Sequence, residues 1–408
     1  MVFKYALCQA LLLISFILEA QPVNIKINAA RTTGPMTPFW SYFGYDEPNY
    51  TYARDGKKLL DELQSLSYIP VHVRTHNLLS SKGNSTGPDL KWGYTDVYKQ
   101  DVTGKAIYTW TILDSIVDTY VHLGMKPLME IGFMPKDLSV HPEPYDHHWS
   151  QGGNIWTGWT YPPKDYTAWS ELIYEWVKHE IERYGKKEVI TWVWEVWNEP
   201  DIAYWSGSLV EYLKLYDYAA AGLKRACPEC KIGGPHTTSP RNPRAYDFLI
   251  QFIDHCLHGM NNVTGLIGTP LDYIGFHAKG SPEYIDGHIR MNLGVQLKDI
   301  SRGFEAIRSF PEIKNISVII GECDPEGCAA CSEKRDPKYG YRNGTMYSSY
   351  TAASFARIYE LTDQYQINLQ GAVSWSFEFE NQEWYAGFRD LATHGVDKPV
   401  LNVFRMLG

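Results

Sequence analysis

The sequence predicts a (β/α)8 barrel, the TIM-barrel fold of the α/β class, in a single domain. Short β-rich runs alternate with amphipathic helical segments along the 408 residues. Most of these runs are almost continuously apolar, as parallel strands are when helices cover both faces of a sheet. An open, doubly wound sheet fits the same alternation, but no Gly-rich phosphate-binding pattern follows the first run. Eight β-then-α units therefore favour the closed barrel.

The predicted elements follow one another in strict alternation. The strands are Phe39–Tyr45, Pro70–His76, Pro127–Gly132, Ile190–Asn198, Lys231–Pro235, Tyr273–His277, Ser317–Glu322 and Gly371–Phe377. The helices are Asp55–Leu66, Thr111–Leu123, Tyr166–Tyr184, Leu209–Ala226, Arg244–Leu257, Gly294–Phe310, Ser349–Gln364 and Pro399–Leu407. The third helix is the clearest, because apolar residues recur along it at three- and four-residue spacing.

The longest irregular connections all lead from a strand into a helix. They are Asn77–Trp110, Phe133–Asp165 and Glu322–Ser348, and they are rich in Gly, Pro, Trp and Tyr. Connections of this kind lie on the barrel face where active sites form. Trp and Tyr faces also stack on the flat C–H faces of sugar rings.

The first 20 residues have the pattern of a secretory signal peptide. Lys4 precedes the apolar stretch Tyr5–Leu18, which is shorter than the roughly 20 apolar residues of a membrane span. We expect residues 21–408 to form the catalytic barrel of a secreted or periplasmic protein, without membrane contact once the signal is removed. The net charge of −9, without a basic run, argues against a nucleic-acid partner.

The cysteines form two short pairs, Cys227–Cys230 and Cys328–Cys331. We expect local disulfides or free thiols, because the spacing of a zinc ribbon is absent and the two pairs fall at opposite ends of the barrel. One loop gathers other metal-binding side chains, but prolines there prevent the helix that would align them. Those residues are His141, Glu143, Asp146, His147 and His148. We expect neither a metal nor another cofactor.

Two carboxylates end predicted strands. Glu199 ends the fourth strand and is followed by Pro200, which stops the ladder, while Glu322 ends the apolar run Val318–Gly321 of the seventh. Both would lie at the mouth of the barrel. Hydrolysis of a glycosidic bond with retention of configuration needs two carboxyl groups about 5 Å apart, one protonated and one ionised. The sequence therefore predicts a retaining glycosidase.

Longer motifs around these carboxylates resemble glycoside hydrolase family 39, which contains β-xylosidases and α-L-iduronidases. The motifs are Val73-Arg74-Thr75-His76, Trp197-Asn198-Glu199-Pro200-Asp201, Phe276-His277-Ala278-Lys279-Gly280 and Gly321-Glu322-Cys323-Asp324-Pro325. The likeness covers essentially the whole chain after the signal. Members usually carry an accessory β-sandwich, so we expect this chain to be cut before one.

The resemblance implies a role for each matching residue. Glu199 would donate the proton and Glu322 would attack the anomeric carbon, with Arg74 holding Glu322 ionised. The remaining expectations concern substrate binding: Asn198 to the 2-hydroxyl, His76 and His277 lining the sugar subsite, Trp375 as its floor, and Glu378 to substrate hydroxyls. Glu195, nearer the barrel bottom, would have a structural partner.

The resemblance leaves the substrate open between neutral and acidic sugars. The preferred prediction is an exo-acting β-xylosidase acting on xylo-oligosaccharides. The alternative is an α-L-iduronidase-like enzyme, in which Lys279 and Arg389 would bind the sugar carboxylate; in a xylosidase these cations would need protein partners such as Asp390 and Glu378. A non-catalytic sugar-binding barrel is disfavoured, because both carboxylates are present. For a xylosidase we expect replacement of Lys279 by Met to cost little.

Overall fold

The computed structural model describes residue 24 and residues 26–32, 34–83, 93–149, 153–375 and 382–408. Contacts between residues divide the chain into two units, residues 1–37 and Pro38–Gly408. In the first unit, the N–H of Arg31 donates to the carbonyl oxygen of Asn28 in a turn. The signal peptide expected at residues 1–20 lies outside the described residues. The second unit contains the strands and helices of the fold.

Eight parallel strands close into a barrel. They are β1 (Tyr42–Tyr45), β2 (His72–Thr75), β3 (Lys126–Ile131), β4 (Val193–Val196), β5 (Lys231–Thr237), β6 (Tyr273–Lys279), β7 (Ser317–Asp324) and β8 (Asn368–Ala372, continued by Ser374–Trp375). Each strand pairs with the next along the chain, and the end of β8 pairs with β1, Ser374 opposite Phe43 and Trp375 opposite Gly44. The predicted (β/α)8 barrel is confirmed.

In the described part of the chain, eight longer helices surround the strands. They are α1 (Arg54–Ser65), α2 (Thr111–His122), α3 (Tyr166–Tyr184), α4 (Leu209–Ala226), α5 (Pro243–His258), α6 (Leu293–Arg308), α7 (Thr345–Tyr365) and α8 (Leu401–Leu407). Polar side chains fix several helix starts: Asp165 accepts from the N–H of Thr167 at α3, and Ser208 and Glu211 form a capping box at α4. Within the described part of the chain, no helix is long and apolar enough to cross a bilayer.

The long connections at the carboxyl ends of the strands carry structure of their own. Between β2 and α2 lies a hairpin of Tyr98–Gln100 and Ala106–Tyr108, and between β3 and α3 lies one of Asp146–Trp149 and Gly153–Trp156. Smaller elements complete the unit: the hairpins Glu283–Ile285 with His288–Arg290 and Ala392–Thr393 with Val396–Asp397, the short helix Lys186–Val189, and the 3-10 turns Pro48–Tyr52, Lys136–Leu138, Pro311–Ile313 and Pro337–Asn343.

Both cysteine pairs are disulfide-bonded, which is one of the two states expected for them, local disulfides or free thiols. Cys227–Cys230 joins the end of α4 to the start of β5, at the amino-terminal end of the barrel strands. Cys328–Cys331 follows β7, at the opposite end. Cys256 and Cys323 are free and buried.

Candidate active site

A pocket of about 460 Å³ opens at the carboxyl ends of the barrel strands. It is lined by strand-end residues from around the barrel, among them Asp46, His76, Asn198, Glu199, Lys279, Glu322 and Trp375. Its volume is typical of a small-molecule site, roughly 300–1,000 Å³. A larger depression of about 590 Å³ lies outside the barrel beside α1 and α2, but its one carboxylate, Asp118, is already paired with Arg183. The chemistry therefore concentrates in the barrel pocket.

The backbone that carries Glu199 has an unusual conformation. Trp197 and Glu199 both have positive φ, 72° and 44°, a left-handed region that side chains other than glycine rarely adopt. Surrounding hydrogen bonds hold it: the N–H of Trp197 donates to the carbonyl of Ile131 at 3.2 Å, and that of Glu199 to the carbonyl of His236 at 3.0 Å. Such conformations persist where neighbours over-determine them, and they cluster at active sites.

Glu199 and Glu322 face each other across His277. Nδ1 of His277 is 2.8 Å from Oε1 of Glu199 and 3.6 Å from Oε1 of Glu322. One oxygen from each carboxyl group and one nitrogen of His277 all lie within 4.8 Å of one another. Retaining glycosidases place their carboxyl groups about 5–5.5 Å apart, whereas inverting ones need about 6.5–9.5 Å. The separation therefore suits double displacement through a covalent intermediate.

The two carboxyl groups have pKa values displaced in opposite directions. Burial and the negative charge of Glu322 raise the pKa of Glu199 to about 8. Burial also acts to raise the pKa of Glu322, but the cations of Lys279 and Arg74 outweigh it and hold that pKa well below its usual range. At neutral pH Glu199 is protonated and Glu322 is ionised, which is the division of roles that acid-assisted nucleophilic attack requires.

Arg74 connects Glu322 to polar side chains inside the barrel. It donates from Nη1 to Glu322 at 3.1 Å, from Nε to Glu195 at 2.8 Å and from Nη2 to Oδ1 of Asn198 at 2.8 Å. The predicted Arg74–Glu322 ion pair is present. Glu195 also contacts Nε2 of His236 at 2.8 Å, so it has the structural partners expected of it. Because Oδ1 of Asn198 accepts from Arg74, the amide nitrogen is the atom it can offer to a ligand.

Trp375 and His76 form an aromatic corner of the pocket. Their ring centroids are 4.3 Å apart, and the guanidinium of Arg74 lies 4.8 Å from the Trp375 ring centroid. Asp46 fixes both rings, since it lies 3.1 Å from Nδ1 of His76 and accepts from Nε1 of Trp375 at 3.3 Å. A sugar ring could stack on this surface. Trp375 lines the pocket, and its role as a floor under the sugar stays a prediction.

Comparison with known proteins identifies the family. The sequence model described as "Glycosyl hydrolases family 39" matches residues 23–408. The chain belongs to glycosyl hydrolase family 39. Among family relatives, it is 27% identical over 369 residues to a β-xylosidase of Geobacillus stearothermophilus, covering 86% of this chain and 63% of that one. It is 26% identical over 339 residues to the α-L-iduronidase of Homo sapiens, covering 77% and 45%.

A solved structure shares the fold. A monomeric β-xylosidase from Caulobacter crescentus CB15 superposes with a TM-score of 0.66 at 24% identity, covering 93% of this chain and 70% of that one.

Among the sequence relatives, a β-xylosidase of Caldicellulosiruptor saccharolyticus is 31% identical over 262 residues, which are 62% of this chain and 46% of that one. The family-39 chain therefore spans about half to two thirds of the length of the curated β-xylosidases it matches.

Two cations predicted to bind a sugar carboxylate have protein partners in this family-39 chain. Lys279 lies 2.5 Å from Oε2 of Glu322 and also contacts Asp324. Arg389 is fully buried, outside the pocket lining, and pairs with Asp324 at 3.3 Å and with Glu326 at 2.8 Å. Among the described residues Arg389 does not line the pocket, and its role in substrate binding stays a prediction.

Three other predictions concerning the site are changed by the structure or stay untested. Asp390 was named as a partner for these cations, but it pairs with Lys398 instead. His277 was expected to line the sugar subsite. Its side chain is fully buried, and its Nδ1 contacts Oε1 of Glu199 and Oε1 of Glu322. Glu378 lies outside the described residues.

Several pocket residues escaped the sequence analysis. They are Asp46, Tyr204, Thr238, Ser239, Arg241 and the segment Gly327–Ala330. Asp46 directly follows β1 and Thr238 directly follows β5. The rule that selected Glu199, that polar residues at the carboxyl ends of barrel strands belong to the site, would have found both.

Proposed function

We propose that this chain is a retaining exo-glycosidase that hydrolyses terminal glycosidic bonds by double displacement, with Glu199 as the general acid/base and Glu322 as the nucleophile. The proposal depends on one observation: two carboxyl groups with oxygens within 4.8 Å of each other, whose pKa values are displaced in opposite directions. Membership of a family of glycosyl hydrolases supports it independently.

The reaction follows from these protonation states. Glu199 donates its proton to the glycosidic oxygen while ionised Glu322 attacks the anomeric carbon, so the leaving group departs as an alcohol and the sugar becomes an ester of Glu322. Glu199, now ionised, then takes a proton from a water that attacks the same carbon, which frees Glu322 as a carboxylate. Two inversions give net retention. The amide of Asn198 is available to the sugar 2-hydroxyl, a contact that strengthens in the transition state.

We propose β-linked xylose as the terminal sugar. The positive charges near the site already have carboxylate partners, since Lys279 pairs with Glu322, the pocket-lining Arg241 with Asp299 and Arg389 with Glu326. A uronic acid would have to draw one of these cations away from its partner, whereas a neutral sugar needs no cation. Relatives named β-xylosidase support the same choice.

An iduronidase-like activity is the second candidate. Several relatives carry the name α-L-iduronidase, and Lys279 does line the pocket. A substrate carboxylate at Lys279 would compete with Glu322 and raise its pKa, which works against an ionised nucleophile. A non-catalytic barrel is the least supported candidate, because the paired carboxyl groups have the protonation states that catalysis needs.

A panel of nitrophenyl glycosides tests the proposal. We expect kcat/KM on the β-xyloside to exceed that on every other sugar, including the α-L-iduronide, and the first-formed xylose to be the β-anomer by NMR. Release of the α-anomer would refute double displacement. A preference for the iduronide by the unaltered protein would transfer the assignment to the second candidate.

We also propose that the protein is exported. The apolar stretch after Lys4 and the two disulfides both suit an oxidising compartment outside the cytosol. N-terminal sequencing of protein recovered from the culture medium or periplasm should find the chain beginning near Gln21. Recovery of intact Met1 in the cytosol would contradict export.

A further inference from the structure

One wall of the barrel pocket is a small covalently closed loop. Gly327, Cys328, Ala329 and Ala330 all line the pocket, and the disulfide from Cys328 to Cys331 closes the segment with a Cα–Cα distance of 5.5 Å. The side chains of this wall are a hydrogen, two methyl groups and a half-cystine. Its shape is therefore set by the backbone of the loop and hardly at all by side-chain rotamers.

A buried arginine holds the carbonyls of this loop. Arg342 donates to the carbonyl oxygens of Cys328 at 2.6 Å, of Ala329 at 3.2 Å and of Cys331 at 2.7 Å. Glu326 balances its charge at 2.6 Å. The three carbonyls converge on one guanidinium because the loop curves tightly, and the Cys328–Cys331 disulfide closes this curve.

We propose that the Cys328–Cys331 disulfide positions the substrate-binding wall, so that opening it weakens substrate binding and leaves the bond-breaking step intact. This inference rests on the proposed glycosidase function. The reacting groups do not depend on the wall for their contacts, because Glu199 is bonded by His277 and Glu322 by Lys279 and Arg74. These contacts come from other strands. Opening the disulfide should therefore raise KM, while kcat stays close to its original value.

The disulfide is also accessible to a reductant. Cys328 is partly exposed at the pocket, whereas Cys227 and Cys230 are fully buried at the other end of the barrel. A soluble dithiol would attack the disulfide at the partly exposed Cys328. It would convert one disulfide into two thiols and be oxidised to its own cyclic disulfide, which balances electrons and protons. Mild reduction should therefore open the pocket loop before the distant bridge.

The chain contains its own matched control, since both bridges close the same Cys-x-x-Cys ring. The experiment compares Cys328→Ser/Cys331→Ser with Cys227→Ser/Cys230→Ser on an aryl xyloside. We expect KM to rise about tenfold in the first variant with kcat changed less than about twofold, and KM to stay unchanged in the second. Dithiothreitol should raise the KM of the unaltered protein and of the second variant, but not of the first.

Three outcomes would overturn the proposal: an unchanged KM in the first variant, equal rises in both variants, or a loss confined to kcat. Hydrogen exchange supplies a measurement that does not depend on activity. Backbone amides of residues 327–333 should exchange faster in the first variant than in the second, and equal exchange would refute the positioning role. If the unaltered protein cleaves no glycoside, the proposed function fails, and the exchange comparison still decides whether the disulfide orders the wall.

Discussion

Nζ of Lys279 lies 2.5 Å from Oε2 of Glu322, the proposed nucleophile. Both side chains are almost fully buried, and Asp324 contacts the same ammonium group. A buried cation at this distance stabilises the ionised form of Glu322 and lowers its pKa. Lys279 therefore serves the nucleophile itself, before any substrate is bound.

The first prediction follows from this contact. Replacing Lys279 by Met should lower kcat/KM at neutral pH roughly tenfold or more on xyloside and uronide alike, which replaces the sequence-based expectation of a small cost. Without the ammonium the pKa of Glu322 rises. Since the nucleophile must be ionised, the acid limb of the pH profile should move to higher pH. The profile of kcat/KM measures this directly.

Lys398 offers a matched control, because it is also a buried lysine in an ion pair, with Asp390. Lys398→Met should destabilise the fold without moving the acid limb. Lys279→Arg keeps the cation, so its acid limb should lie close to that of the unaltered protein. An acid limb that stays in place in Lys279→Met would show that the cation does not control the nucleophile.

The contact between Lys279 and Glu322 could not be read from the sequence. Strands β6 and β7 pair with a register shift after Phe276, which places His277 opposite Glu322 and Lys279 opposite Asp324. A shift of one residue turns side chains to the other face of a sheet, and no local pattern in either strand encodes it. The chain order of the strands and the carboxylates at their ends were predictable, because they follow from apolar runs and their boundaries.

The second prediction concerns the alkaline limb of the pH profile. Glu199 must be protonated to act as the acid, so kcat/KM should fall as pH rises through its pKa of about 8. The negative charge of Asp201 is one of the influences that raise this pKa. Asp201→Asn should therefore move the alkaline limb to lower pH, by less than about one unit.

A remote carboxylate provides the comparison for this shift. Asp254 lies near the end of α5 and is largely exposed, so Asp254→Asn should leave the limb where it is. If neither variant nor the unaltered protein shows a limb near pH 8, the proton donor is a group other than Glu199.

The third prediction separates the two catalytic roles. Glu322→Ala should abolish turnover on every leaving group, because no nucleophile remains. Glu199→Ala should lose most activity on poor leaving groups but keep more on activated aryl glycosides, which need little proton donation. Rates for a series of phenols of decreasing pKa make this comparison. Equal losses in both variants across the series would mean that the roles are wrongly assigned.

The aromatic corner gives the fourth prediction. Asp46 accepts from Nε1 of Trp375 and lies 3.1 Å from Nδ1 of His76, so Asp46→Ala should free both rings and raise KM several-fold with a smaller change in kcat. In a Trp375→Phe background the indole N–H is already gone. The effect of Asp46→Ala should then shrink, and a double-mutant cycle measures the difference. Additive effects would show that Asp46 does not act through the indole.

The ends of helices show what sequence patterns resolve less well. The start of α3 was predicted correctly, and there the side chain of Asp165 caps the helix. Helix α7 begins at Thr345, four residues before its predicted start at Ser349, and its cap residue is Gly344, which offers no side-chain bond. A missing cap does not by itself hide a helix start, because α2 also has no side-chain cap and begins at its predicted Thr111. The added first turn of α7 contains Tyr347, which is buried, so the start of this helix depends on tertiary packing.

The last prediction tests how closely β1 must approach the floor of the pocket. A Cβ atom added at Gly44 would lie 2.3 Å from two ring carbons of Trp375 and 3.0 Å from the carbonyl oxygen of Arg74. The indole N–H of Trp375 donates to Asp46, and the backbone N–H of Trp375 donates to Asp324 at 2.9 Å, so the ring has little freedom to retreat. Gly44→Ala should therefore lower the free energy of unfolding by about 1–3 kcal/mol and raise KM as the ring tilts. Gly294→Ala in α6 is the control, since a Cβ there meets no atom within 4 Å and alanine favours a helix, so it should neither lower the free energy of unfolding nor raise KM. Chemical denaturation and steady-state kinetics on both variants measure the two effects. A Gly44→Ala protein as stable and active as the Gly294→Ala protein would show that β1 can shift away from Trp375 without cost.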